Sequence, residues 1–174
     1  IQRPLPVDLS TGEPSRASSE FGSRNDDERR QLIERADTAF VGSLHPTRGI
    51  DASHRGGAPG FIHVVDATTL RVPDYKGNGM FMTLGNFEID ARAGLAVLDF
   101  ERGLVVSLSG SARLRFESEQ ADHPTGGTGR YWDFSVREWV QYVLPTTIRW
   151  EMIDASPYNP QRSEKDQVVT CPRL

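Results

Sequence analysis

The chain has 174 residues and a mass of 19.4 kDa, the size of one ordinary domain. Its 20 Lys+Arg against 24 Asp+Glu leave a net charge of -4, which argues against a nucleic-acid partner because phosphate neutralisation needs a clustered positive field. One cysteine, Cys171, excludes a disulfide framework within the monomer and a Cys-based metal cluster, and no apolar run approaches the roughly 18 residues of a membrane span.

These values lead us to expect a soluble, cytoplasmic, single-domain protein. Residues Ile1 to Gly22 are rich in Pro, Ser and charge without a sustained period, and read as an arm that is either disordered or laid across another surface. Ser23 to Asp26 offers a capping-box-like start to a short amphipathic helix over about Asp26–Ala36, with Leu32, Ile33 and Ala36 as its apolar stripe. Thr38–Leu44, Ile50–His54, Phe61–Val65 and Leu70–Val72 follow as extended segments separated by Gly, Pro and Asp turns. Gly79–Ala93 carries Met80, Leu84, Phe87 and Ala91 at spacings of three and four, which predicts a second helix. Leu95–Phe100 is a continuous apolar strand.

The clearest strand is Leu104–Phe116. Leu104, Val106, Leu108, Gly110, Ala112, Leu114 and Phe116 share one face, and Val105, Ser107, Ser109, Ser111, Arg113 and Arg115 the other. Gly110 supplies a place for the bend a barrel strand needs. Tyr131–Tyr142 and Ile148–Ile153 are further extended regions. Strands of mixed length with only two helices point to an antiparallel barrel or sandwich rather than a doubly wound parallel sheet. The organisation expected is an arm over 1–22, a domain over 23–156 and a tail over 157–174. A small barrel would leave Val105 and the aromatics Trp132, Phe134 and Trp139 seeking cover from a second subunit, unless the second helix and the tail cover them within one chain.

Signatures for chemistry are few. There is no Walker loop, and Gly126, Gly127 and Gly129 lack the strand-to-helix frame of a dinucleotide fingerprint. His45, His54, His63 and His123 show no metal-binding spacing, so no metal ligand is assigned. No Ser lies in a nucleophile elbow, and Cys171 reads as a passive thiol. Two segments stand out. In Ser53-His54-Arg55-Gly56-Gly57-Ala58-Pro59-Gly60-Phe61, an Arg beside two glycines suits close approach of a planar or phosphorylated ligand, or is simply a glycine-rich bulge with a surface Arg. In Pro73-Asp74-Tyr75-Lys76-Gly77-Asn78, leading through Gly79 into Thr83 and Asn86, a helix N-terminus either seats an anion or is merely capped by Asn78.

Taken together, His54-Arg55-Gly56-Gly57…Pro59-Gly60-Phe61 and Asp74-Tyr75…Gly77-Asn78…Leu84-Gly85-Asn86 resemble the pyridoxamine 5′-phosphate oxidase-like, FMN-binding split-barrel superfamily, in particular its uncharacterised bacterial members. The resemblance covers roughly Asp26 to Glu151. It implies a mainly β, six-stranded antiparallel split barrel with a few flanking helices, forming a homodimer with FMN at the interface. Carried over by position, Ser53, His54, Arg55 and Gly56 would pass the flavin and its ribityl phosphate. Val72, Pro73, Asp74 and Tyr75 would offer groups to the flavin's pyrimidine edge, and Asn78, Thr83 and Asn86 would hold the phosphate.

Thr83 stands where many relatives have Lys, which leaves room for a deazaflavin or haem instead. The substrate-phosphate cluster of pyridoxamine phosphate oxidase itself has no counterpart here, and Cys171-Pro172-Arg173-Leu174 does not reproduce that enzyme's C-terminal signature. The implied activity is FMN-dependent oxidoreduction of an unidentified small molecule, with NAD(P)H or a reductase partner as electron source. The alternative is a non-catalytic flavin-, deazaflavin- or haem-binding or electron-transfer module. A flavin would carry the redox chemistry, so no catalytic side chain is assigned.

Overall fold

The computed structural model describes residues 2–4, 19–23, 26–77, 81–116, 125–144, 150–157 and 159–160. In chain order these form β1 (Gln2–Pro4), β2 (Ser19–Gly22), α1 (Asp27–Arg35), β3 (Thr38–His45), β4 (Gly49–Gly56), β5 (His63–Asp66), β6 (Thr69–Pro73), α2 (Met82–Ile89), β7 (Arg92–Asp99), β8 (Leu104–Phe116), β9 (Arg130–Val143) and β10 (Trp150–Met152). The long period-two run is strand β8 with the expected bounds.

Every pairing in the main sheet is antiparallel, in the order β4-β3-β7-β8-β9-β6-β5, and β2 pairs β9 off that path. The sheet therefore has eight strands rather than six. The reason lies in β9, whose 14 residues outrun the five-residue β6. β6 covers Tyr131–Ser135 of β9, and the arm supplies β2 to cover Trp139–Tyr142. The backbone donors and acceptors of β9 are thus taken up along both halves. β1 and β10 form a separate two-stranded ribbon.

The β8–β9 ladder shifts register between Ser109 and Gly110, where Ser109 faces Glu138 and Gly110 faces Val136. This bulge leaves Arg137 over and reverses the phase of β9. Trp132, Phe134 and Val136 point inward before it, and Trp139 and Gln141 after it. A side chain at Gly110 would run into the Ser135 carbonyl, so the crossing of the two strands requires glycine there.

Inside the barrel, Trp132 and Phe134 are fully buried. Trp132 lies 5.2 Å from the Phe87 ring of α2 and 6.3 Å edge-on to Phe134. This corrects one expectation: Trp132, Phe134 and Trp139 are covered within one chain and do not call for a second subunit. They are covered by the barrel's own curvature, because the bulge turns both halves of β9 inward.

α1 starts at Asp26, whose carboxylate accepts the Arg29 N–H at 2.9 Å, so the cap is Asp26 itself rather than a Ser23 capping box. Leu32 and Ile33 enter the core. Arg29 is buried, donates to Glu20 of β2 at 2.8 Å, pairs with Asp26 and Glu28, and lies 4.8 Å over the Trp139 ring. Helix and strap are tied together at that point. α2 is shorter than the predicted Gly79–Ala93. It ends at Asp90, and β7 takes the chain from Arg92 because pairing with β3 and β8 outweighs a weak local helical period. No helix among the described residues is long and apolar enough to cross a membrane.

Candidate functional site

β3, β4 and β7 finish at one edge of the sheet, where Thr38 pairs with both Gly56 and Leu98. A cleft of about 790 Å³ opens there, within the size range of small-molecule sites. Thr38 and Phe40 of β3, His54, Arg55 and Gly56 of β4, and Leu98 and Phe100 make one wall. Phe61, Pro73 and Tyr75 make a second, and Trp150, Met152, Asp154, Ala155, Ser156, Pro157 and Asn159 make a third. The rings are interlocked: Phe40 meets His54 edge-on at 5.5 Å, and Phe100 meets Trp150 at 5.0 Å.

The glycine pair is required by the local packing. A Cβ on Gly56 would stand 2.9 Å from the His54 ring and 3.4 Å from the Asp37 carbonyl, and one on Gly57 would run into the Phe61 ring. The two glycines let the chain fold back on itself, with the Gly57 N–H donating to the Asp37 carbonyl at 3.1 Å and the Phe61 N–H to Ala58 at 2.9 Å. Both glycines also line the cleft, so this turn brings their backbone to its wall.

Arg55 is buried at the cleft, and its Nη1 donates to the His54 carbonyl at 2.9 Å. Burial lowers its pKa, opposed by the carboxylates of Asp74 and Asp51. The His54 pKa is lowered as well, first by burial and then by the Arg55 charge, with Asp37 pulling the other way. The cleft thus holds a buried guanidinium beside an imidazole that favours its neutral form.

Asp74 is fully buried behind the cleft wall, near enough to Arg55 to act on its charge. Its carboxylate accepts Arg130 Nε at 2.9 Å, its N–H donates to the Arg130 carbonyl at 3.0 Å, and its own carbonyl accepts Thr128 Oγ1 at 2.7 Å. That anchor holds the end of β6 against the start of β9 and leaves Tyr75 at the cleft. Val72 is fully buried in the core. Thr83 donates to Ser53 Oγ at 3.0 Å and lies 3.4 Å from Asp51, while Ser53 donates to Asp51 at 3.0 Å. Asn86 donates to Ser43 at 2.9 Å. Ser53, Thr83 and Asn86 therefore form a polar seam between α2 and the β3–β4 hairpin, and Asn78 lies outside the described residues. Phe81, just before α2, adopts a left-handed φ of 52°, a strained conformation for an aromatic residue, and stacks under Arg130 at 4.9 Å.

Of the predicted site residues, the cleft brings together His54, Arg55, Gly56, Pro73 and Tyr75. Sequence reasoning missed Phe40, Phe100, Trp150 and Met152, which join it through long-range pairing. The one signal available was the alternation of Trp150 and Met152, which puts both on one side of β10.

Two solved structures align over most of their own length. A tagged point variant of HupZ from Group A Streptococcus is 18% identical, with a TM-score of 0.51, over 66% of this chain and 98% of that one. A pyridoxamine 5′-phosphate oxidase candidate from Lactobacillus delbrueckii is 10% identical, with a TM-score of 0.51, over 68% of this chain and 94% of that one. The fold is that of the pyridoxamine 5′-phosphate oxidase-like split barrel. No family model matches the chain, and no curated protein matches it. At these identities the likeness establishes the split barrel alone, and the use of the cleft rests on its own chemistry.

Proposed function

We propose that this split barrel is a cytoplasmic, FMN-dependent oxidoreductase that works as a homodimer on a small molecule. The observation that carries the reading is the cleft itself: Phe40, Phe61, Tyr75, Phe100 and Trp150 line a space of about 790 Å³, with one buried guanidinium, Arg55, in its wall. Those residues fit a flavin. Phe40, Tyr75 and Trp150 would flank the ring system, Arg55 would meet an anionic end, and His54 would supply a neutral donor or acceptor near the ring. Bound FMN would supply hydride and electron transfer, with NAD(P)H or a reductase as the source. The chain's own part is to hold the ring, exclude water from it and keep His54 uncharged.

The homodimer is supported by the outward face of β3, β4 and β7. Gly42 pairs directly with Gly94, and a Cβ would find nothing nearer than 4.0 Å at the first and 3.8 Å at the second. The chain's own packing does not require glycine at either position. Phe40 at 45% and Ile50 at 82% exposure flank this flat strip, and a second copy laid on it would also close over the cleft.

The deciding measurement is the ultraviolet–visible spectrum of purified protein before and after adding FMN. Flavin bands that stay with the protein through gel filtration are the expected result, and Arg55→Gln should weaken their retention about tenfold. A colourless protein that leaves FMN unbound overturns the flavin reading, and uptake of haem or a deazaflavin in its place would reassign the cofactor. A light-scattering mass near the 19.4 kDa of one chain would overturn the dimer.

A further inference from the structure

The outer surface of the barrel changes character beyond the bulge. On β8, outward positions pass from Val105 and Ser107 to Arg113 and Arg115. Opposite them on β9 and β6 stand Tyr131, Asp133 and Arg71, with Asp133 paired to both Arg113 and Arg71 in the strand register. Asp133 accepts Arg71 Nε at 2.9 Å and Nη2 at 3.3 Å, and Arg115 Nε at 3.3 Å. The Arg71 guanidinium also lies 4.3 Å over the Tyr131 ring. Two arginines bonded to one carboxylate, with Arg113 opposite it in the register, make an excess of positive charge among the described residues of this face, in a chain whose net charge is -4.

The guanidiniums are held flat and oriented by Asp133 and Tyr131, so little side-chain freedom is lost when an anion arrives. Arg115 bonds Asp133 through Nε, and its side chain is 40% exposed, so a guanidinium edge is within reach of a bidentate contact. The patch also adjoins the cleft. Pro73 lines the cleft and pairs with Tyr131, while Arg71 sits two residues back on the same face of β6, about 7 Å along the strand.

We propose that Arg71 and Arg115, with Arg113 at the rim, form an oxyanion-binding site that takes the phosphate or carboxylate group of a ligand whose apolar body lies in the cleft. The arginine cluster exists whether or not the cleft holds FMN, so the site can be tested on the full chain without a flavin. Inorganic phosphate is titrated while the arginine Nε–Hε resonances are followed. The expected result is a saturable shift of the Arg71 and Arg115 signals, with affinity lowered at least tenfold in Arg71→Gln and in Arg115→Gln and only a few-fold in Arg115→Lys, which keeps the charge but loses the fork.

A variant that fails to fold is recognised by its amide spectrum, and Arg115→Lys then decides. No saturable shift, or the same midpoint in the wild type and all folded variants, would overturn the site. Repeating the titration with FMN present separates two sources of the anion. Competition identifies it as the cofactor's own phosphate, and undisturbed phosphate binding assigns it to a second, anionic ligand. A protein that ignores FMN yet still binds phosphate at these arginines would refute the flavin reading and leave the oxyanion site standing.

Discussion

The outer surface of this barrel has two halves that share strands and differ in nearly everything else. Across β3, β4 and β7 the outward positions Phe40, Gly42, Ile50, Ala52, Gly94 and Ala96 are small or apolar, with His54 opposite Phe40 and Arg92 at the start of β7 as the polar exceptions. Across β6, β8 and the first half of β9 they include Arg71, Arg113, Arg115, Tyr131 and Asp133, with Asp133 ion-paired to Arg71 and Arg115. One strand, β8, serves both, and the bulge at Gly110 lies where its outward residues change. Alternation along a strand therefore separates inside from outside and is silent about what the outside is for. That depends on the chemistry of the outward residues and on which strands lie alongside.

The largest expected effect comes from breaking the boundary between the halves. Gly110→Val drives a side chain into the Ser135 backbone, which cannot yield without unpairing β8 from β9. The loss should reach about 3 kcal/mol or more in urea unfolding. A loss under about 1 kcal/mol would mean that the bulge can relax.

On the charged half, Asp133→Ala leaves Arg71 and Arg115 without the carboxylate that positions them. Both arginines are partly exposed, so the expected cost is only about 1 kcal/mol after discounting for solvent. On the apolar half, Gly94→Lys should change the stability of the single chain by no more than about 0.5 kcal/mol, because its Cβ has room. The same substitution should abolish self-association in sedimentation. Unchanged association would detach the flat strip from the dimer. The two glycines thus sharpen the contrast, since the chain's own packing requires glycine at Gly110 and not at Gly94.

Local patterns made much of this legible. The period-two run Leu104–Phe116 identifies β8 to the residue, and the apolar stripe of Leu32, Ile33 and Ala36 locates α1. The end of α2 was not legible, because Ala91 continues a helical spacing while the pairing of Arg92–Asp99 with two neighbouring strands decides otherwise. Nor was the closure of the sheet by Ser19–Gly22, which depends on the unmatched length of β9. In the cleft, the His54–Phe61 segment stood out for its glycines, but their role in packing against Phe61 and His54 appears only once the chain is folded. Phe100 and Trp150 are separated by the whole of β8 and β9, and no spacing rule connects them.

His54 lies on the seam between the apolar half and the cleft and yields the smallest prediction. Burial and the Arg55 charge hold its pKa below the ordinary 6.5. The folded protein therefore binds this proton less readily than the unfolded chain, and acidification favours unfolding. Stability linked to His54 is full above about pH 6.5 and declines as the pH falls through that value. His54→Gln removes the titrating group while keeping a polar side chain at the cleft. The difference in urea midpoint between wild type and variant should change between about pH 7.5 and pH 5.5, with the wild type losing more. Since His54 packs against Phe40 at the edge of this strip, the same acidification should loosen the proposed dimer in the wild type and spare it in the variant. Parallel unfolding curves at both pH values would show that the imidazole is as free to charge in the folded protein as in the unfolded chain, and the seam would then contribute nothing to the difference between the two halves.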